Sequence, residues 1–348
     1  MNIRISALTL SLLLAANAPV FADEAEDLEK ARDALSKQDN DADTEKALEQ
    51  VFEAAEKNYS LLRKGGKSLN FNSDYSYYGD QRIDLTIERD GESSVIRNAD
   101  VSPVASHTFT NSFTFDYGLL DNLTVSARMP LIAKYETEDE LSGYGLGDLS
   151  STFRWQPFSY VPGRMSQTYF FTARFPTGES PYEIDESESL ATGSGSYGTS
   201  GGVSVSKVLD PVVVFGSLSA GYSFPITGLN QVRNDSILTE VRSGPSASFS
   251  MGFAYSLSYE VSLSMSFQGS YSHKSDFVLF TPSTGEETTS TTSSQMSGIM
   301  NFALGLRVSP KTITNINVGF GMTELSPDII LGISLPINIE GRNSSQGS

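Results

Sequence analysis

The sequence predicts an all-β protein, a 12-stranded antiparallel transmembrane β-barrel with a short α-helical N-terminal segment. Three observations predict it. Side-chain polarity alternates with period two from residue 67 to 339, the spacing of strands whose two faces meet different surroundings. After the leader no apolar run approaches the roughly 18 residues that a membrane-spanning helix needs, so a bilayer can be crossed only by strands. The connections are short and long in turn, the pattern of tight periplasmic turns and longer outer loops.

Residues 1–22 read as a signal peptide. Arg4 and the initiator amine precede an apolar run from Ile5 to Ala16, and Val20-Phe21-Ala22 offers the cleavage positions. Removing Arg4 takes the formal charge from −18 to −19, a balance that disfavours nucleic acid and anionic lipid as electrostatic partners. The absence of cysteine excludes disulfides, thiolate metal sites and a Cys nucleophile. Only 39% of residues are hydrophobic, yet 10% are aromatic and Gly, Ser and Thr abound. That mixture suits a membrane barrel, where alternate residues face lipid and a polar lumen.

Residues 23–66 form the helical segment, a periplasmic element that either plugs the pore or makes a short coiled coil. It is rich in Glu, Ala, Lys and Leu, and Gln38-Asp39-Asn40-Asp41 divides it. After the break, Leu48, Phe52, Ala55, Tyr59 and Leu62 step by four and three to make one apolar stripe. The stripe covers barely two heptads, fewer than the three or four expected of a coiled coil. Gly65-Gly66 ends the helix.

The barrel is placed at 67–339, followed by a polar tail at 340–348. In the stretch 259 to 271, Val261, Leu263, Met265 and Phe267 oppose Glu260, Ser262, Ser264, Ser266 and Gln268. In 107 to 117, Phe109, Phe113, Phe115 and Tyr117 oppose Thr108, Thr110, Ser112, Thr114 and Asp116. The spans are expected near 67–80, 104–117, 121–135, 144–158, 165–176, 196–208, 211–224, 244–256, 259–273, 293–308, 311–323 and 327–339. Tight turns fall at Leu119-Leu120-Asp121, Leu209-Asp210, Leu257-Ser258 and Ser309-Pro310, and long polar loops at 81–103, 136–143, 177–195, 225–243 and 274–292. A soluble β-sandwich is the alternative, since it too alternates.

Arg128, Arg154, Arg174 and Arg307 fall on polar strand faces. A charge at the lipid midplane costs about 2–4 kcal/mol, so the lumen is their expected place. With Lys134, Asp116 and Glu260 they are the pore-lining candidates. They either fill a polar lumen and pair with acids, or form a charged constriction that seats the plug helix. In the second case Glu45, Glu49, Glu53 and Glu56 on the helix meet the arginines, and Leu48, Phe52 and Tyr59 supply the apolar side of the plug. Aromatics at strand ends, such as Tyr75, Tyr135, Trp155 and Tyr222, suit interfacial girdles.

Catalytic machinery is not expected. His107 and His273 are the two histidines, and neither stands near a nucleophile elbow. Gly145-Leu146-Gly147 lacks the further glycine and helix of a dinucleotide fingerprint. Acidic runs at 39–43 and 185–188 lack a Ca²⁺-loop pattern. No cofactor or metal is therefore predicted.

Several segments together resemble a known group, the outer-membrane barrel family of phenol-degradation (MetA-pathway)-like and transporter proteins. They are Tyr117-Gly118-Leu119 leading to Asp121-Asn122-Leu123, Met129-Pro130-Leu131, Gly145-Leu146-Gly147-Asp148-Leu149, Phe175-Pro176-Thr177-Gly178, Gly201-Gly202 before Ser206-Lys207, and Leu335-Pro336. Their shared order carries the resemblance through most of 67–339. The architecture is also similar to the secretion channel of functional-amyloid (Fap) systems, which implies a pore-plugging helix, a periplasmic coiled coil and a homotrimer. This chain departs from that pattern in its shorter helical region and in its polar C-terminal tail.

The function expected from this reading is an outer-membrane channel or transporter, for passive transport or protein export, gated or plugged by the N-terminal helix. Its partners are outer-membrane lipid, the barrel-assembly machinery, and an exported protein or small hydrophilic solute. The alternatives are a non-conducting structural or adhesive barrel and a lipid-hydrolase barrel.

Overall fold

A computed structural model describes residues 61–337 apart from 91–92, 138–139, 160, 162, 186–187, 210, 234–235, 259 and 310–311, and the backbone alone for 80–104. The signal peptide, the helical segment up to Ser60 with all its plug candidates, and the C-terminal tail lie outside the described residues.

In chain order the strands are β1 (Lys67–Asp90), β2 (Ser93–Leu120), β3 (Leu123–Glu136), β4 (Ser142–Leu146), β5 (Leu149–Trp155), β6 (Ser166–Phe175), β7 (Gly198–Leu209), β8 (Val212–Ser223), β9 (Ile226–Arg233), β10 (Ser236–Arg242), β11 (Ser246–Ser256), β12 (Val261–Ser272), β13 (Asp276–Thr281), β14 (Glu286–Thr291), β15 (Gln295–Ser309), β16 (Thr312–Gly321) and β17 (Ile329–Ile337). Thirteen of them make one antiparallel sheet. It closes on itself where β1 meets β17, from Leu69 opposite Ile337 to Tyr77 opposite Ile329. Closure satisfies every edge, which hydrocarbon demands because it offers the backbone no hydrogen-bond partner.

β4 and β5 are two halves of one span, so the wall has the twelve crossings expected from the alternation. The lower half of β3 pairs with β5, Leu123 to Trp155 through Arg128 to Ser150. Its upper half pairs with β4, Leu131 to Leu146 through Tyr135 to Ser142. Gly147 and Asp148 mark the break between them.

The distribution of side chains is the reverse of a water-soluble core. Ser112, Thr124 and Ser204 are fully buried, whereas Phe109, Met129, Phe171, Leu218, Met251 and Phe320 stand exposed on the outer face. So large an apolar belt is foreign to a soluble monomer, whose exposed patches rarely exceed a few hundred Å². A lipid slab covers such a belt, and this disposes of the sandwich alternative.

Three expected loops are corrected. The stretches 225–243 and 274–292 form strands, and β9, β10, β13 and β14 pair into a separate four-stranded sheet at the long-loop end. Leu229 on β9 and Leu238 and Val241 on β10, the last two set three apart by a bulge between Leu238 and Glu240, form its buried core, with Ile226, Phe277, Leu279 and Tyr182 against them. The bulge breaks the period of two, so the stretch does not read as a strand from sequence. The third, 81–103, runs as a paired continuation of β1 and β2 out to Asp90 opposite Ser93.

Candidate functional site

Three levels of the lumen can be distinguished. By the rule that short turns face the periplasm, the end holding the β2–β3, β7–β8 and β11–β12 turns is the periplasmic mouth.

At that mouth, lumen-facing residues of β1, β2, β3 and β5 form a buried polar cluster. Arg154 Nη2 lies 2.5 Å from Asp116 Oδ1 and donates to Ser126 Oγ at 2.6 Å. Ser126 Oγ donates to the same carboxylate oxygen, and Asn70 Nδ2 donates to the other at 3.4 Å. Both charged side chains are about nine-tenths buried, so each depends on its partner to offset lost hydration. Alternation turns these side chains inward and the register brings them together, with Asp116 opposite Ser126 and Thr124 opposite Arg154 on the inner face.

The chain ahead of β1 joins this cluster. Leu62 N donates to Thr124 Oγ1 at 2.8 Å, a side chain on the lumen face. Gly65, at φ +79°, allows the reversal that hands the chain from there to β1, a conformation costly for other residues. Gly65 N donates to Gly118 O at 2.8 Å, and Gly118 N donates to Gly66 O at 3.0 Å. A side chain at 118 would strike the carbonyls of Leu62 and Arg63. The Tyr117-Gly118-Leu119 motif is thus the seat of the entering segment.

At the outer mouth, the β6–β7 loop folds back onto the inner wall at the β4/β5 break. Asp148 Oδ2 accepts from Ser194 N at 2.9 Å and Ser194 Oγ at 2.5 Å, while Oδ1 accepts from Gly178 N at 3.3 Å. Thr177 repairs the interrupted ladder: its hydroxyl donates to Gly147 O at 2.8 Å and accepts from Leu149 N at 3.0 Å. Lys134 Nζ donates to Ala191 O at 2.6 Å. The opposite side of the loop meets the outer sheet, where Gln231 Nε2 donates to Pro181 O at 3.1 Å and Ile184 O at 2.9 Å. Three motifs distant in sequence, Met129-Pro130-Leu131, Gly145 to Leu149 and Phe175 to Gly178, converge on this break.

Between the mouths lies a cavity of about 500 Å³ lined, among the described residues, by five carboxamides, seven serines, Ala303 and three phenylalanines, with no charged side chain among them. Asn301, Asn315 and Asn317 stand directly opposite Gly319, Gly305 and Gly332 on neighbouring strands. A Cβ on Gly319 would come within 2.7 Å of Asn301 Oδ1 and one on Gly305 within 3.0 Å of Asn315 Oδ1, and at Gly332 the approach of Asn317 is closer still. Each amide therefore lies along the wall over a glycine instead of projecting across the channel.

The seven pore-lining candidates do not gather into one ring. Arg154 and Asp116 are paired at the periplasmic mouth. Arg307 N donates to Glu260 O at 2.8 Å at the same end, with the Glu260 side chain exposed on the β11–β12 turn. Lys134 and Arg174 serve the outer loop, Arg174 with Nε 3.8 Å from Asp148 Oδ2 and Nη2 donating to Ser223 Oγ at 3.2 Å. Arg128 is exposed and borders an apolar groove with Leu69, Phe113, Phe115, Met129 and Phe175 at the β3–β5 seam. Asp148, Thr177, Ser194 and the carboxamides were not singled out from sequence. Only the alternation Asn315-Ile316-Asn317 hinted at the last.

No family model matches the sequence. In fold the chain is similar to the COG4313 outer membrane channel from Pseudomonas putida F1, with a TM-score of 0.56 and 14% identity over 80% of this chain and 97% of that one. The chain has the fold of an outer-membrane β-barrel. This likeness agrees with the resemblance carried by the order of the motifs. The translocator domain of the autotransporter NalP from Neisseria meningitidis aligns at a TM-score of 0.44 and 9% identity, over 85% of this chain and 98% of that one.

Proposed function

We propose that this protein is a passive outer-membrane channel for small hydrophilic solutes, closed at its periplasmic mouth by the N-terminal segment. The observation that carries the reading is the contact of Leu62 with lumen-facing Thr124, below a polar cavity of about 500 Å³. It fastens Leu62 to the inner wall at that mouth. A cavity of that size falls in the roughly 300–1,000 Å³ range of small-molecule sites, which favours a solute over an exported polypeptide. No catalytic step is part of this reading.

The test is single-channel conductance in planar bilayers, comparing the chain from Asp23 with one lacking 23–60. A mostly closed full chain and a steadily conducting truncated one are expected. Equal conductance would remove the N-terminal segment as the gate, and silence from both would remove the channel.

A second reading draws on the apolar groove at the β3–β5 seam. In this reading an apolar solute would pass sideways to lipid where the neighbouring span is broken at Gly147 and Asp148, once the Thr177 bridge there opens. Uptake of an apolar dye that is abolished by a disulfide across the seam, with ion conductance intact, would favour this route.

A further inference from the structure

We propose that the central cavity is a binding subsite for uncharged polyhydroxylated molecules, such as small sugars or polyols. The proposal rests on the channel reading above and names the class of solute.

The first argument is charge. The described residues that line the cavity have no ionisable group, and the buried Arg154–Asp116 pair at the periplasmic mouth is already matched internally. A charged solute would shed hydration in the cavity without a counter-charge to replace it. An apolar solute would strip water from carboxamides and hydroxyls and leave them unsatisfied, at about 1–3 kcal/mol for each buried group.

The second argument is the kind of polar group present. A sugar hydroxyl donates and accepts, and so do the groups that meet it. A carboxamide offers two donor hydrogens and an acceptor oxygen, and serine offers one donor with two lone pairs. Asn72, Gln268, Asn301, Asn315 and Asn317 come from β1, β12, β15 and β16. Across the barrel, Phe170 on β6 and Phe215 on β8 contribute rings to the same cavity. A pyranose has this same division, hydroxyls around its rim and C–H groups on its faces.

The third argument is construction. A generic polar lumen needs only small hydroxyl residues. Here three asparagines each face a glycine in direct cross-strand register, two across the β15–β16 pairing and one across β16–β17. Glycine within a strand costs conformational entropy and packing. What it supplies is room for the amide to lie against the wall, so the hydrogen-bonding edges are held in place while the passage stays wide.

The experiment is calorimetric titration of the full chain with glucose, sucrose and raffinose, in a detergent without a sugar headgroup, beside the conductance measurements. Saturable binding of at least one sugar is expected, with none for a sulfonate of similar size. The double variant Asn301→Leu/Asn317→Leu should weaken it roughly tenfold or more, from the loss of two hydrogen-bonding groups. Phe170→Ala, on the opposite wall, should weaken it independently. Heat-modifiable gel mobility reports that each variant is folded. A folded wild-type barrel that binds none of the three sugars, or equal binding by the folded variants, overturns the proposal. Binding without conductance in either chain would leave the subsite standing and remove the channel; conductance without binding would do the opposite.

Discussion

Chain is fastened to the barrel wall at both mouths, but by different physics. At the periplasmic mouth a segment enters through backbone bonds to Gly118 and Thr124, beside a buried ion pair whose partners come from the wall itself. At the outer mouth a loop is fastened through its own backbone to wall side chains, Asp148 and Lys134, and is backed by an apolar core that belongs to the second sheet. The first arrangement resists rearrangement, because separating a buried pair exposes unpaired charge to a poor solvent. The second can be released in small steps.

The largest effect should follow from breaking the wall pair. Asp116→Ala leaves Arg154 buried without its carboxylate, a loss of about 3–5 kcal/mol, read as a lower denaturant midpoint. Asp116→Leu combined with Arg154→Met should recover most of that stability; if it does not, the cluster does more than balance its own charges.

A smaller effect is expected from Asp148→Ala, which removes the acceptor for Gly178 and Ser194. About 1–3 kcal/mol of local stability is at stake. Faster hydrogen exchange at 178–194 and noisier, larger currents should appear, with the wall strands unchanged. Exchange spread evenly through the barrel would mean that the loop is part of the wall's cooperative unit.

Gly319→Ala places a methyl group against Asn301 and should cost about 1–3 kcal/mol if the amide cannot move. If it swings into the passage instead, stability is kept and single-channel current falls. Either result shows which of the two the neutral middle protects.

The smallest effect is on the outer sheet. The Arg242 hydrogen bond, bidentate at 2.8 Å, holds the half-buried Glu240 carboxyl below its ordinary value of 4.5. With the folded value depressed, the pair's contribution is present above pH 4.5 and is lost as pH falls through the folded value. Carboxyl NMR should place the Glu240 midpoint below 4.5, and Arg242→Ala should return it towards that value.

Much of the wall was legible in the sequence because a strand that separates lipid from a polar lumen writes its environment into every second residue. Ser262 and Ser264 against Leu263 and Met265 identify both the strand and its faces. The candidate site was less legible. Arg154 and Asp116 were recognised as inward-facing, but their pairing depends on the register of β2, β3 and β5. Asp148 looked like part of a turn, and its loop partners lie 30 and 46 positions further along the chain.

The sequence by itself determined that the wall is made of strands, how many times they cross, and the two faces of the most regular strands such as β2 and β12, because these follow from local alternation and from the length a bilayer requires. Only the tertiary structure decided which charges pair, where the β6–β7 loop lies, that two polar loops become a sheet with its own core, and that asparagines face glycines across strands. Those outcomes depend on register and on contacts between distant segments, and an alternating pattern carries the face of each residue but not its partner.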